Sequence, residues 1–229
     1  MVSPTALALG LTLLLGAVDY ASEGILARYA TLYKERFVSF VAGLSVTYIF
    51  LHLFPQVYSG AQAYPHLIFV LMLLGFVSYH LIEKWIYQHL PREQIIEEVE
   101  HEHAITIFFY HFFIGIVFVS LVSASVLNGM LYFIPVSLHV IINVLPHSHR
   151  FQHWRARLFF SSAPFLGAAF ASIVSIPSIV NFGLLGLLAG LLLFLEAREV
   201  IPRKRKGSPA FFLLGVLIYG AVIAWTWTI

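Results

Sequence analysis

The fold is decided by the stretch FGLLGLLAGLLLFLEAREVIPRKRKGSPAFFLLGVLIYGAVIAWTWT, residues 182–228. It holds two long apolar runs, 182–201 and 209–228, which flank the basic cluster Arg203–Lys206. A helix needs about 20 mostly apolar residues to cross a bilayer, and each run is near that length. Lipid offers backbone amides no hydrogen-bond partner, so a helix is the expected element. The stretch therefore predicts two membrane-spanning helices joined by a short basic loop.

Working outward from this stretch gives six more apolar runs and a predicted total of eight spans. They are approximately 5–27, 37–55, 65–83, 104–126, 129–147, 158–176, 182–201 and 209–228. All 13 Lys and Arg residues fall at the same side of such a bundle, in or beside the loops that follow odd-numbered spans. Positively charged loops are retained in the cytoplasm during insertion. The expected fold is an all-α integral membrane protein of eight transmembrane helices with both termini outside.

Composition agrees with this class of protein. The 229 residues are 60% hydrophobic and only 10% charged, whereas a soluble domain carries about 25% charged residues. We expect one polytopic domain, 1–229, in the cell (inner or plasma) membrane, with an acidic and His-bearing cytoplasmic loop at 84–103. The basic loops suit anionic lipid headgroups, so no nucleic-acid partner is implied. There are no cysteines, which excludes disulfides and thiolate metal sites.

Ionisable residues inside the spans are costly and are therefore candidates for a functional site. His111 and His139 lie at one predicted depth on consecutive spans, about 10–12 Å from the cytoplasmic boundary at 1.5 Å per residue. Asn143 follows His139 by four residues and shares its helix face. Glu196 and Glu199 end the seventh span, where water or an arginine is expected to reach them. Two interpretations stay open: the histidines form a site, or each makes one hydrogen bond between helices.

Spans two, three and seven carry short patterns near their ends. The second span ends in Phe50–Pro55 with His52, and the third ends in Leu81–Lys84. The seventh span reads Ala189-Gly190 and, nine residues later, Glu199. Together these patterns resemble the ZIP (Zrt/Irt-like) family of divalent-metal permeases, which has a similar His-Leu-x-Pro ending and an Ala-Gly…His-Glu-x-x-Pro-Glu pattern, with Arg198 here in place of the His. The span count and the His-bearing inner loop also match the family.

The resemblance implies a metal site made of His111, His139, Asn143 and Glu199. The chain departs from the family's His-Asn-x-x-(Asp/Glu)-Gly and His-Glu-x-Pro-His-Glu motifs: Ile114 and Val140 stand where carboxylates are usual. A rival alignment of the second motif runs from Asn143 to Ser148 and keeps its Pro and second His. Two imidazoles and a carboxylate suit Zn²⁺, and also Fe²⁺, Co²⁺ or Ni²⁺.

The resemblance further implies movement of a divalent transition metal, zinc in the first place, into the cytoplasm through a single mid-bundle site. The metal is the substrate, no catalytic cofactor is expected, and the partners are the metal ion and the lipid bilayer, with a homodimer left open. One alternative is a ZIP-like protein that has lost transport and acts as a metal sensor or scaffold. A second alternative is an intramembrane metal hydrolase, which needs an open metal position and a nearby base.

Overall fold

A computed structural model describes residues 3–22, 34–64, 66–89, 92–144, 154–197 and 207–228. It describes their side chains except at 34, 83, 86, 92–104, 107 and 142–144. Every element in these ranges is helical, and none is a strand. In chain order they are α1 (Pro4–Ala21), α2 (Lys34–Tyr48), a π-helical turn (Ile49–Leu53), α3 (Phe54–Ala63), α4 (Leu67–His89), α5 (Arg92–Ala124), α6 (Val126–Val144), α7 (Trp154–Ser161), α8 (Ala163–Ile173), α9 (Ser178–Leu195) and α10 (Pro209–Thr226).

Five of these helical segments are long and apolar enough to cross a membrane. They are Pro4–Ala21, Glu35–Ala63, Leu67–His89, Ser178–Leu195 and Pro209–Thr226. The pair α7 and α8, bent by 42° at Ser162, makes a sixth if it is taken as one span. Two shorter apolar segments are Phe108–Ala124 and Val126–Ile141. By length and composition, these helices make the chain a membrane-embedded protein, and every element that the structure describes is helical.

The helices run beyond several predicted span ends. The second span was expected to end at Pro55 and to be followed by a loop, but the helix continues to Ala63. Pro55 has no N–H for the carbonyl of Leu51, and a π-helical turn absorbs the defect, with the Phe54 N–H bonded to the Ile49 carbonyl. Much of the expected 84–103 loop is also helical, because its Glu, Gln and Lys residues are good helix formers.

Three pairs of helices pack most extensively: α4 with α9, α2 with α10, and α5 with α8. The two helices of each pair run parallel, because the contacts between them advance toward the C-terminal ends of both helices together. In the first pair the Ile68 carbonyl lies beside Gly186, the Met72 carbonyl beside Gly190, and the Tyr79 ring 5.3 Å from that of Phe194. The other two pairs show the same order. Contacts run from Ser39–Ser208 to Thr47–Gly220 in one, and from Phe108 beside Phe159, in α7 just before α8, to Gly115 beside Ala168 in the other.

Close approach in all three pairs depends on glycines contributed by both helices. A Cβ atom at any of these glycines would overlap a backbone carbonyl oxygen of the partner helix. The glycines are Gly75 and Gly190, Gly43 and Gly215, and Gly115 and Gly167. Small residues of this kind let helix backbones meet in lipid, where packing rather than hydrophobicity drives association. The central helix α6 contacts α1, α2 and α5, and it carries the residues discussed next.

Candidate functional site

A buried polar contact joins His139 of α6 to Glu196, the residue that caps α9. His139 Nδ1 lies 2.9 Å from Glu196 Oε1, and both side chains are only 2% exposed. With Glu196 ionised, its carboxylate can only accept, and Nδ1 then donates the hydrogen of this bond. His139 Nε2 and Glu196 Oε2 are also buried, and neither has a hydrogen-bond partner among the described residues.

Pro135 shapes α6 one turn before His139. Proline has no N–H to bond to the carbonyl four residues earlier, here that of Leu131. The Tyr219 hydroxyl of α10 donates to this carbonyl, so a side chain of another helix replaces the missing backbone donor. In a membrane an unsatisfied carbonyl is expensive, and such substitutions are the usual compensation. The tyrosine thus ties α10 to the helix that carries His139.

Aromatic residues surround the His139–Glu196 pair. The Tyr110 and His139 rings meet edge to face with centroids 6.4 Å apart, and the Tyr48 and Tyr132 rings lie 5.9 Å apart. All three tyrosines are buried. His139, Tyr48 and Ser45 line one narrow enclosed gap, together with Pro135, Val136 and Leu192. The Tyr48 hydroxyl and Ser45 Oγ have no partner within the described ranges, so three polar side chains with an unused atom line the same gap.

The structure places only part of the expected metal set. His111 is buried on α5, next to the Tyr110 whose ring contacts His139. Asn143 lies in α6 with its side chain outside the description, and Glu199 lies outside the described residues. Among the residues that are described, no group of three or more His, Asp or Glu side chains is arranged to hold a metal.

Glu196 is the residue that sequence reasoning set aside. It was expected near water at the end of its span, and that expectation is wrong, since Glu196 is 1% exposed. The signal was present in the helix periodicity. Glu196 follows Leu185, Ala189 and Leu192 by 11, seven and four residues, which places all four on one face of the helix, and the structure buries that face.

A second cavity opens at the other end of the bundle, and we call it the vestibule. Its volume is about 1100 Å³ including its open mouth. It lies where the ends of several helices converge, and its polar lining consists of His52, Gln56, Ser59, Ser120, Asn128, Asn181 and Thr226, with Trp227 beside them. The π-helical turn presents His52 to it, where His52 Nε2 lies 3.0 Å from Gln56 Nε2. Tyr48 links the two regions, since its ring lies 5.5 Å from that of His52 and it lines the gap beside His139.

Comparison with known proteins does not assign the chain to a family: no family model matches it, and no curated protein matches it significantly.

Proposed function

We propose that the chain is a membrane permease that moves a divalent transition metal, zinc in the first place, into the cytoplasm. In this proposal eight helical segments cross the membrane, with both termini outside. The parallel arrangement of the three glycine pairs supports that topology, because parallel partners in a membrane must have an odd number of crossings between them. The three pairs meet this condition. α2 and α10 belong to the second and eighth segments, α4 and α9 to the third and seventh, and α5 and α8 to the fourth and sixth.

The observation that carries the proposal is the buried His139–Glu196 pair with its unused Nε2. Histidines that bind metals commonly donate their other ring N–H to a carboxylate, which fixes the ring and raises the basicity of the free nitrogen. His139 has this arrangement, because Nδ1 bonds Glu196 and Nε2 remains available. We assign His139 as a nitrogen ligand and Glu196 as the residue that orients it and balances the charge. His111, Asn143 and Glu199 remain the proposed completing ligands.

The test is uptake of radiolabelled zinc by proteoliposomes that hold the purified full-length chain. We expect His139→Ala to abolish uptake, because it removes the ligand nitrogen. Glu196→Gln should reduce uptake at least about tenfold, since changing the hydrogen-bond partner of a metal ligand typically costs 10–100-fold in metal affinity or activity. His89→Ala is the matched control, because His89 is an exposed imidazole at the end of α4. Equal uptake by wild type and His139→Ala would overturn the assignment.

A second candidate function has one observation in its favour. Ile114 and Val140, which stand at the usual carboxylate positions of the resembled motifs, are each 1% exposed and belong to the apolar core. A ZIP-like protein that has lost transport, and that senses metal or serves as a scaffold, fits this loss. Ile114→Asp with Val140→Glu should then create zinc uptake that the wild type lacks. Uptake by the wild type itself would reject this candidate.

A further inference from the structure

No charged side chain lines the vestibule. The 13 basic and 11 acidic residues of the chain all lie within 19–36, 83–102, 150–157 and 196–206. The intervening segments, which supply all the residues that line the vestibule, contain none. A substrate in the vestibule therefore meets no Asp, Glu, Lys or Arg side chain.

The vestibule is nevertheless rich in hydrogen-bonding groups. Asn181 Nδ2 donates to Ser120 Oγ at 2.8 Å, which leaves Asn181 Oδ1 buried without a partner in the described part of the chain. His52, Gln56 and Asn128 add an imidazole and two amides. Binding sites for small molecules typically have apolar walls with a few convergent polar groups, and the volumes of these sites run from about 300 to 1,000 Å³.

These neutral hydrogen-bonding groups suit a neutral complex of a divalent metal better than the hydrated ion. A cleft lined by opposite charge raises the local concentration of an ion and its association rate by about 10- to 1,000-fold. The vestibule offers no such gain to a hydrated dication. Removing part of the hydration shell of an ion without a compensating charge is also costly. A neutral complex has neither problem, because amides and hydroxyls satisfy its polar edge by hydrogen bonding.

We propose that the vestibule binds the metal as a neutral chelate, in which two small anionic ligands such as amino-acid carboxylates cancel its charge. This inference rests on the proposed function and adds the form in which the substrate arrives. Asn181 and Asn128 bind the chelating molecules, and when the metal passes to the ligands of the buried site, His139 among them, the two chelating anions are released on the vestibule side. His52, on the π-helical turn, lines the vestibule, and its ring lies 5.5 Å from that of Tyr48, which lines the gap beside His139.

The first experiment compares two probes at equal total zinc in proteoliposomes of the full-length protein. One probe is hydrated radiolabelled zinc in a non-coordinating buffer, and the other is the neutral bis(histidinato)zinc complex, with protein-free liposomes subtracted. We expect the chelate to enter at least about tenfold faster, and its rate to be unaffected by ionic strength. Hydrated zinc that enters as fast as the chelate would overturn the inference.

A charge placed in the vestibule provides the matched variants. Asn128→Asp adds a carboxylate to the lining and should raise uptake of hydrated zinc relative to the chelate by about tenfold. Gln62→Asp adds the same charge at an exposed position of α3 that does not line the vestibule, and the ratio should stay unchanged. A ratio that Asn128→Asp does not alter would count against the vestibule as the chelate site.

A binding measurement separates this inference from the proposed function. Purified His139→Ala protein, which lacks the proposed buried ligand nitrogen, is dialysed against zinc and histidine that carry different radiolabels, and the bound ratio is measured. Retention of about two histidines per zinc, lost in Asn181→Leu, supports the chelate site even if neither probe is transported. Binding of zinc without histidine overturns it. Failure of the permease proposal appears separately, as a lack of zinc uptake in both forms by wild-type protein that is correctly inserted.

Discussion

The buried contact between His139 and Glu196 predicts a large coupling energy between two helices. The perturbation is a thermodynamic cycle of four proteins: wild type, His139→Leu, Glu196→Leu and the double variant. Each single change leaves the other side chain buried with a polar group that has lost its partner. The double change removes both groups together, and apolar side chains of similar size take their place.

The expected magnitudes follow from what each change leaves behind. Glu196→Leu leaves a buried N–H without a partner, which should lower the unfolding free energy by about 1–3 kcal/mol. His139→Leu leaves a buried carboxylate without a partner, which should lower it by about 3–5 kcal/mol, or less if the carboxylate takes up a proton. Replacing a whole buried pair with apolar residues is often close to neutral. The coupling energy should therefore be at least about 2 kcal/mol, well above the average of about 0.6 kcal/mol for hydrogen bonds between membrane helices.

The assay is reversible unfolding in mixed micelles, followed by far-ultraviolet circular dichroism for all four proteins. Glu196→Gln is the control, because its amide oxygen still accepts from Nδ1, and it should destabilise less than Glu196→Leu. A coupling energy at or below about 0.6 kcal/mol would refute the reasoning, since it would make this contact no more than an ordinary interhelical hydrogen bond.

Two further predictions concern helix packing. Gly190→Ala should lower the unfolding free energy by about 1–3 kcal/mol or more, because its Cβ would overlap the backbone of the partner helix. Gly10→Ala is the control and should be neutral or stabilising, since nothing lies within 4 Å of a Cβ at that position. Unchanged stability in Gly190→Ala would contradict the close α4–α9 contact. Tyr219→Phe should cost about 1 kcal/mol, because it removes the donor to the Leu131 carbonyl, while Tyr58→Phe, at a 61% exposed ring, should cost nothing measurable. Equal losses in the two tyrosine variants would argue against that donor.

Much of the helical layout could be predicted from composition and the length of the apolar runs. Every predicted run contains helix within the described residues, as expected where a membrane restricts the backbone to a single kind of element. The ends were less predictable. The helix that continues past Pro55 does so through a π-helical turn, a local rearrangement that apolar length does not reveal.

Helix pairing could not be predicted in the same way. Runs such as α9 are apolar all round, so their hydrophobicity does not show which face meets which neighbour. The glycines were visible in the sequence, but their partners lie more than 100 residues away in two of the three pairs. That both helices of a pair contribute a glycine to the same contact becomes apparent only in the three-dimensional structure.

The candidate site was predicted in part. His139 was identified from its depth, and it is buried and bonded to a carboxylate, but that carboxylate is Glu196 and was judged accessible to water. Distance from the end of a span is a poor guide where neighbouring helices cover that end. Tyr48 and Ser45 gave no signal, because hydroxyl side chains are common in membrane helices and most bond their own backbone.

The three glycine pairs are nested along the chain, and this order has a consequence for biogenesis. On a ribosome, α5 and α8 are the first partners to be complete, α4 and α9 follow, and α2 meets α10 only when the last helix has been synthesised. The Gly43 face of α2 therefore remains uncovered during almost the whole of translation, until the helix that covers it has been synthesised. A chain that stops short of α10 would present this face to lipid and to other nascent helices, so quality control could distinguish unfinished copies by one uncovered glycine surface.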